Sequence, residues 1–249
     1  TDFPVMTSSS MPFKFTLPCD DLIKLIDKTK FAVSTEETRY FLNGIFFHTL
    51  EKDGKELLRA VATDGHRLAR QDVASPEGAK GMPSIIVPRK VITELRAQLD
   101  DTSADITVET SETKARFTFG NTTITSKLID GKFPDYEKVI PTSNDKEMEV
   151  DCKFFSEAVD RVSSVSYEKS KAIKLKIAKS KLTLLASTPD SGSAVEEMEV
   201  DYDNESMEIG FNSKYLLDIA GQIEGKFMKF IISDSSSPAI IKELDDEST

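Results

Sequence analysis

The feature of this sequence that most constrains its fold is a pattern of strands and helices that recurs four times. Each cycle has one short alternating strand, one amphipathic helix and about three further strands, with a period of roughly 60–70 residues. The helix segments are "PCDDLIKLIDKTKF", "PRKVITELRAQLDD", "DCKFFSEAVDRVSS" and "NSKYLLDIAGQIEG". Because each has one apolar stripe, the helices are expected to cover one face of antiparallel sheets. The pattern predicts an α+β fold with two similar domains, each holding two amphipathic helices.

Three local signals divide the chain further. The run "RYFLNGIFFHTL" predicts a strand that Asn43-Gly44 interrupts as a bulge or tight bend, and Asp64-Gly65 predicts a hairpin turn between "ELLRAVAT" and "HRLARQDVA". The segment "GKFPDYEKVIPTS" is punctuated by Gly and Pro and is the best candidate for a domain boundary. We therefore predict a linker over residues 1–12 and domains over residues 13–134 and 135–249.

Composition limits the function. The chain has 32 Lys and Arg against 43 Asp and Glu, a formal charge of -11, which argues against a protein that coats nucleic acid with its whole surface but allows a local basic face. No apolar run approaches the roughly 20 residues of a transmembrane helix. Two distant cysteines, Cys19 and Cys152, indicate a reduced cytoplasmic protein and are expected to be packing residues.

Motifs for catalysis and for metal binding are missing from the sequence. It has only His48 and His66, and no CxxC, HExxH, GxSxG, P-loop or GxGxxG pattern. We therefore expect no metal, no cofactor and no enzymatic activity.

Five long runs occur in order along the chain: "TRYFLNGIFF", "VATDGHRLA", "IIVPRK", "TSKLIDGKFPDYEKVIP" and "MEIGFNSKYLLDI". They resemble the bacterial DNA sliding clamp, the beta subunit of the replicative DNA polymerase III, from about Phe13 to the last residues. Members of that family have three domains, and the resemblance covers the second and third. It implies the DNA clamp fold, with "TDFPVMTSSS" similar to the end of a missing first domain and its connector. We also expect a last apolar strand of the family to be absent here.

The resemblance implies a binding protein. Such clamps are head-to-tail homodimeric rings that encircle duplex DNA without sequence preference. They tether the DNA polymerase catalytic subunit, the clamp loader and repair proteins through linear motifs, which gives processivity. We expect this chain to lack the first domain and therefore to be a monomer or a weak dimer, with no membrane partner.

Basic residues lie opposite the apolar stripes of the predicted helices. On the first helix Asp20, Lys24 and Lys28 are four residues apart, and Asp100 ends the exposed stripe of the second. Such stripes suit weak phosphate contact, although a solvated helix face has the same pattern. With the resemblance, the residues expected to face DNA are Lys24, Lys28, Arg89, Lys90, Arg96, Lys153 and Arg161.

The resemblance also implies a groove between the two domains that binds partner peptides through hydrophobic side chains. The matching positions are Arg39, Leu42, Thr63, Gly65, His66, Arg67, Leu68, Pro134, Lys138, Val139, Asn212 and Tyr215. The apolar members can bury an anchor side chain, Gly65 lets a backbone come close, and Lys138 favours an acidic residue in the partner. Without the last strand of the family, this groove is expected to lack part of its apolar wall. Pro238 also has no backbone N–H to donate near the groove.

Two alternatives stay open from the residues alone. Asp64 and His66 could belong to a hydrolase, although no nucleophile motif accompanies them. The acidic charge also suits a β-rich protein-interaction module with no DNA role. Under the clamp interpretation, charges near the end of the chain are expected to discourage the addition of a foreign strand; they are Lys242, Glu243, Asp245, Asp246 and Glu247.

Overall fold

The computed structural model describes residues 10–99, 105–166, 171–189 and 192–244. The chain divides into two compact units, Thr1–Pro134 and Asp135–Thr249. Each unit has two α-helices among its described residues, packed on antiparallel sheets. The predicted α+β class and the predicted repeat of strand, helix and further strands are confirmed.

The first unit contains two cycles of the repeat. Its helices are α1 (Cys19–Lys30) and α2 (Arg89–Gln98), and a 3-10 helix spans Glu37–Leu42. Its strands are β1 (Phe13–Pro18), β2 (Gly44–Lys52), β3 (Lys55–Thr63), β4 (Leu68–Ala74), β5 (Ile85–Pro88), β6 (Asp105–Thr110), β7 (Lys114–Phe119) and β8 (Thr122–Lys127).

The second unit repeats this order. Its helices are α3 (Cys152–Ser163) and α4 (Ser213–Ala220), and a 3-10 helix spans Tyr136–Val139. Its strands are β9 (Lys146–Asp151), β10 (Ala172–Ala178), β11 (Lys181–Thr188), β12 (Gly192–Glu199), β13 (Met207–Asn212), β14 (Phe227–Ile232) and β15 (Ile240–Glu243).

Neighbouring cycles exchange their first strands. In the first unit β5 joins the sheet β4-β3-β2-β5, and β1 joins the sheet β1-β6-β7-β8. In the second unit β13 joins β12-β11-β10-β13, and β9 joins β15-β14-β9. Each sheet therefore needs strands from two cycles, and all the pairings between these described strands are antiparallel.

The predicted apolar stripes form the core. Helix α1 buries Leu22, Leu25 and Ile26, which recur at helical spacing and so share one face. Cys19 and Cys152 are the first residues of α1 and α3, and both are buried thiols outside any disulfide. Burial raises the pKa of the Cys152 thiol, which favours a packing role over a reactive one.

One predicted strand is wrong in its first third. The residues of "RYFL" lie in the 3-10 helix Glu37–Leu42, and β2 begins only at Gly44. A Cβ atom at Gly44 would lie 2.3 Å from the carbonyl oxygen of Val87, so the β5 backbone packs directly against this position. Asn43-Gly44 therefore marks the start of a strand rather than a bulge within one.

A buried ion pair joins two strands of the first unit. Arg59 of β3 lies opposite Asp72 of β4, with Nε 2.7 Å from Oδ1 and Nη2 2.8 Å from Oδ2. Their side chains are 2% and 8% exposed. Because water hardly reaches either group, the Asp72 carboxylate depends on Arg59 for its stabilisation.

We expect Arg59→Met to lower the free energy of unfolding by about 3–5 kcal/mol, because it leaves the Asp72 carboxylate buried without its partner. Urea denaturation followed by circular dichroism measures this change. Lys80→Met is the control, since it removes the exposed ion pair of Lys80 with Glu56 and should change stability little. Equal losses of stability in the two variants would contradict the stabilising role assigned to the buried ion pair of Arg59 with Asp72.

Candidate functional site

The loop between β3 and β4 is held in shape by its own side chains. Thr63 Oγ1 donates to the Arg67 carbonyl (2.7 Å) and accepts from the Gly65 amide (3.1 Å). Asp64 Oδ1 accepts from the amides of His66 (2.9 Å) and Arg67 (3.0 Å). The predicted hairpin turn is confirmed, and its loop is arranged before any partner arrives.

These contacts also decide what Asp64 can do. Its second carboxylate oxygen, Oδ2, accepts from Arg67 Nε at 3.1 Å. Both oxygens are therefore used to hold the turn, and the side chain is only 18% exposed. An engaged carboxylate is poorly placed to act as a general base, so the geometry disfavours a hydrolase built on Asp64 and His66.

Gly65 sits at the tip of this loop and has a backbone φ of 89°. A Cβ atom there would lie 2.4 Å from Nη1 of Arg39. Arg39 is itself fixed, because its Nη2 lies 2.7 Å and its Nε 2.8 Å from Oε2 of Glu36. The hairpin thus touches the 3-10 helix Glu37–Leu42 closely, and a Cβ atom at position 65 would have to move the end of the Arg39 side chain.

The predicted apolar positions of the first unit differ in exposure. Leu42 is only 3% exposed, Leu68 is half-buried, and Pro134 is exposed. Pro134 follows Phe133, whose ring stacks on Phe46 with centroids 4.7 Å apart. Leu68 and Pro134 can therefore meet a partner directly, whereas the buried Leu42 offers a partner almost no surface.

The first two predicted positions of the second unit lie on its 3-10 helix, Tyr136–Val139. Val139 is 62% exposed, so its side chain can meet a partner. Lys138 Nζ lies 2.8 Å from Asp135 Oδ2, and that hydrogen bond raises the pKa of Lys138. The pair is well exposed, so the lysine stays within reach of solvent and of a partner.

The other two predicted positions of the second unit lie at the start of α4. Asn212 caps that helix, because its Oδ1 accepts from the Lys214 amide at 2.9 Å. Tyr215 lies in the first turn and is half-buried. Asn212 therefore stabilises the start of α4, and its contact with a partner peptide stays a prediction.

The predicted DNA-facing residues lie on helix faces with different environments. Lys24, Arg89, Lys90 and Lys153 are exposed, and Lys28 is half-buried. The other two residues are each held by a carboxylate: Arg96 Nε lies 2.9 Å from Asp27 Oδ2, and Arg161 binds both oxygens of Glu196 at 2.6 and 2.8 Å. The pKa of Glu196 is lowered by this hydrogen bond.

Some predicted residues lie outside the described ranges. They are Asp100, Asp245, Asp246 and Glu247, together with residues 1–9 of the predicted linker. Lys242 and Glu243 belong to β15, and the Pro238 carbonyl accepts from Asn144 Nδ2 at 3.0 Å.

The described part of the chain contains neither a cluster of metal ligands nor a membrane-spanning helix. Those residues contain no group of three or more His, Cys, Asp or Glu side chains that could hold a metal ion. Within the same ranges, no helix combines the length and apolar character needed to cross a membrane.

One residue of this region was missed by sequence reasoning. Phe31 accepts a hydrogen bond at its carbonyl from Arg67 Nη2 (2.6 Å), and its ring lies 5.3 Å from Arg67 Cζ. The two residues are 36 positions apart, and no local pattern in the sequence links them.

Comparison with known proteins identifies relatives of both units. The family model of the DNA polymerase III beta subunit central domain matches residues 16–135, and that of its C-terminal domain matches residues 137–249. The beta sliding clamp of Caulobacter vibrioides (strain NA1000 / CB15N) is 49% identical over 240 residues, and that of Escherichia coli K12 is 36% identical over 244. These alignments cover 96% and 97% of this chain. The chain spans 64% and 65% of the two curated relatives.

A solved structure agrees with this result. The crystal structure of a DnaN sliding clamp, DNA polymerase III subunit beta, from Bartonella birtlesii superposes with a TM-score of 0.95 at 48% identity. That protein is bound to griselimycin, and the match covers 98% of this chain and 66% of that one. The predicted clamp fold is confirmed.

We expect Gly65→Ala to loosen the hairpin loop, because alanine strains a backbone with positive φ and its methyl group would displace Arg39. Gly54→Ala is the matched control, since its φ is 73° and nothing lies within 4 Å of its Cβ position. Both variants carry the backbone cost of roughly 1 kcal/mol, and only Gly65→Ala adds the clash. Urea unfolding that gives the two variants the same loss of stability would show that the Arg39 ion pair with Glu36 adds nothing to the stability of this loop.

Proposed function

Because this chain belongs to the beta sliding clamp family of DNA polymerase III, we propose that it forms part of a ring that encircles duplex DNA and tethers DNA polymerase to it. The observation that carries the proposal is the match of two consecutive clamp domain models over nearly all of the chain. In the proposed whole clamp the ring is a homodimer that acts by binding, without catalysis. Its place is the cytoplasm, and the two buried thiols, Cys19 and Cys152, suit a reducing compartment.

The proposed DNA contact is weak and independent of sequence. In a chain of charge -11, the cations that can approach phosphate are scattered along exposed helix faces. Exposed lysines such as Lys24 and Lys153 can neutralise phosphate charge without reading bases. A contact of this kind permits sliding, because no base pair is preferred over its neighbour.

The proposed partner contact is with linear peptides from the polymerase catalytic subunit, the clamp loader and repair proteins. The supporting observation is the fixed hairpin loop, which presents Gly65 and His66 to solvent beside the partly exposed Leu68. A loop that is already ordered loses little entropy when a peptide binds, which favours affinity. Val139 of the second unit is included in the proposal as a second apolar contact.

We expect Leu68→Ala and Val139→Ala each to weaken binding of a polymerase-derived hydrophobic peptide by about 5- to 30-fold, which corresponds to roughly 1–2 kcal/mol. Fluorescence anisotropy with a labelled peptide measures the affinity. Val195→Ala is the matched control, because Val195 is similarly exposed (55%) but lies on β12, outside the proposed site. Leu42→Ala should weaken binding and stability together, since Leu42 is buried. Unchanged affinity in all three site variants would refute the peptide site.

We also expect duplex DNA binding to fall with rising salt and to be the same for unrelated sequences. Replacing Lys24 or Lys153 by Gln should reduce the slope of log K against log salt by about 0.9 for every phosphate that the lysine had neutralised. Lys181→Gln is the control, because Lys181 lies on a sheet and pairs with Glu197. A short labelled duplex titrated at several salt concentrations provides the data. Sequence-specific binding that persists at high salt would rule out this mode of contact.

A further inference from the structure

Arg67 is one of the residues proposed to bind the partner peptide, yet its guanidinium is directed into the protein. Nη2 donates to the Phe31 carbonyl at 2.6 Å, and Nε donates to Asp64 Oδ2 at 3.1 Å. The guanidinium carbon lies 5.3 Å from the centroid of the Phe31 ring. The side chain is only 11% exposed, so most of its surface already contacts the protein.

The Phe31 carbonyl is a chemically suitable acceptor. Phe31 is the C-cap of α1 and directly follows the last helical residue, Lys30. Carbonyl groups at the end of a helix lack partners within the helix, and the negative end of the helix dipole favours a cation. Arg67 therefore fastens the hairpin loop to the end of α1, far away in the sequence.

Asp64 transmits this attachment to the backbone of the loop. One carboxylate oxygen accepts from Arg67 Nε, while the other accepts from the amides of His66 and Arg67. The position of the guanidinium thus fixes the carboxylate, and the carboxylate fixes the amides at the exposed tip. A change in the Arg67 side chain should reach the His66 backbone by this route.

We propose that Arg67 is a positioning residue: it holds the hairpin loop against the end of α1 and does not pair with a charge on the partner. This inference rests on the proposed peptide-binding function. Arginine suits the task because its planar fork directs two N–H groups to separate acceptors while its face lies on an aromatic ring. A lysine ammonium is a point charge and cannot reproduce that geometry.

The proposal places selectivity for charge elsewhere on the surface. Lys138 is 80% exposed and is the better candidate for meeting an acidic residue of a partner. Substitution of Arg67 should therefore weaken binding of an acidic peptide and of its neutral counterpart by the same factor. If Arg67 formed an ion pair with the partner, its substitution would instead weaken binding of the acidic peptide only.

The experiment uses the full chain with Arg67→Lys, Arg67→Gln and Phe31→Leu. Arg116→Gln is the matched control, because it removes the same charge and an ion pair to Glu109 (3.3 Å) on a different sheet. Affinity is measured for two polymerase-derived peptides that differ only by Asp against Asn. Hydrogen exchange of the His66 amide reports the order of the loop independently of the peptide.

We expect Arg67→Lys and Arg67→Gln each to lower the affinity for both peptides by the same factor of about tenfold. Both substitutions should also speed hydrogen exchange of the His66 amide. Phe31→Leu should act in the same direction by a smaller factor of about two to five, since it removes only the ring contact. Arg116→Gln should change neither affinity nor exchange.

The proposal is overturned if Arg67→Lys keeps wild-type affinity, or if the loss in Arg67→Gln is confined to the acidic peptide. It is also overturned if His66 exchange is unchanged in both Arg67 variants. If the wild-type chain binds neither peptide, the peptide-binding function fails, while the exchange measurement still decides whether Arg67 orders the loop. Phe31→Leu keeps the test open should an Arg67 variant fail to fold.

Discussion

The exchange of first strands between neighbouring cycles is the constraint on which each unit depends. In the first unit β5 of the second cycle completes the sheet of the first, and β1 of the first cycle completes the sheet of the second. A cycle alone would lack one strand of its sheet and expose an unpaired edge. Two cycles must therefore fold together, which explains why the repeat is found in pairs. The second unit shows the same exchange with β13 and β9.

The same exchange sets where the helices begin. Helices α1 and α2 start directly after β1 and β5, the exchanged strands, so each helix is fixed at its first turn by a sheet. The amide of Arg89, the first residue of α2, donates to the Asn43 carbonyl at 2.9 Å. The apolar stripe then turns inward and the polar residues outward. The exposed basic residues proposed to meet DNA are positioned by strand pairing as much as by helix periodicity.

Local periodicity was enough to predict the cycles, the helix stripes and the turn at Asp64-Gly65, because these depend on neighbours in sequence. It could not predict the strand exchange, because β1 pairs with β6 although most of the sequence of the first unit separates these two strands. The 3-10 helix Glu37–Leu42 was missed because its apolar end, residues 40–42, comes just before the apolar run of β2, and such short apolar runs have the pattern of a strand. At the candidate site, the resemblance implied that Arg67 is a member but gave no sign of its contacts with Phe31.

The proposed DNA contact has to work in an acidic protein, and two carboxylates show how its strength is limited. Arg96 is held by Asp27 and Arg161 by Glu196, so a phosphate reaching either guanidinium has to replace a protein carboxylate. Because both ion pairs are partly exposed, replacing the carboxylate by a phosphate costs little free energy, but the exchange also adds little to the free energy of binding. The proposed contact with DNA would then rest mainly on exposed lysines, whose hydrated point charges bind phosphate without fixed geometry. Weak contacts of that kind allow motion along the duplex, and topological closure rather than affinity would keep the proposed ring in place.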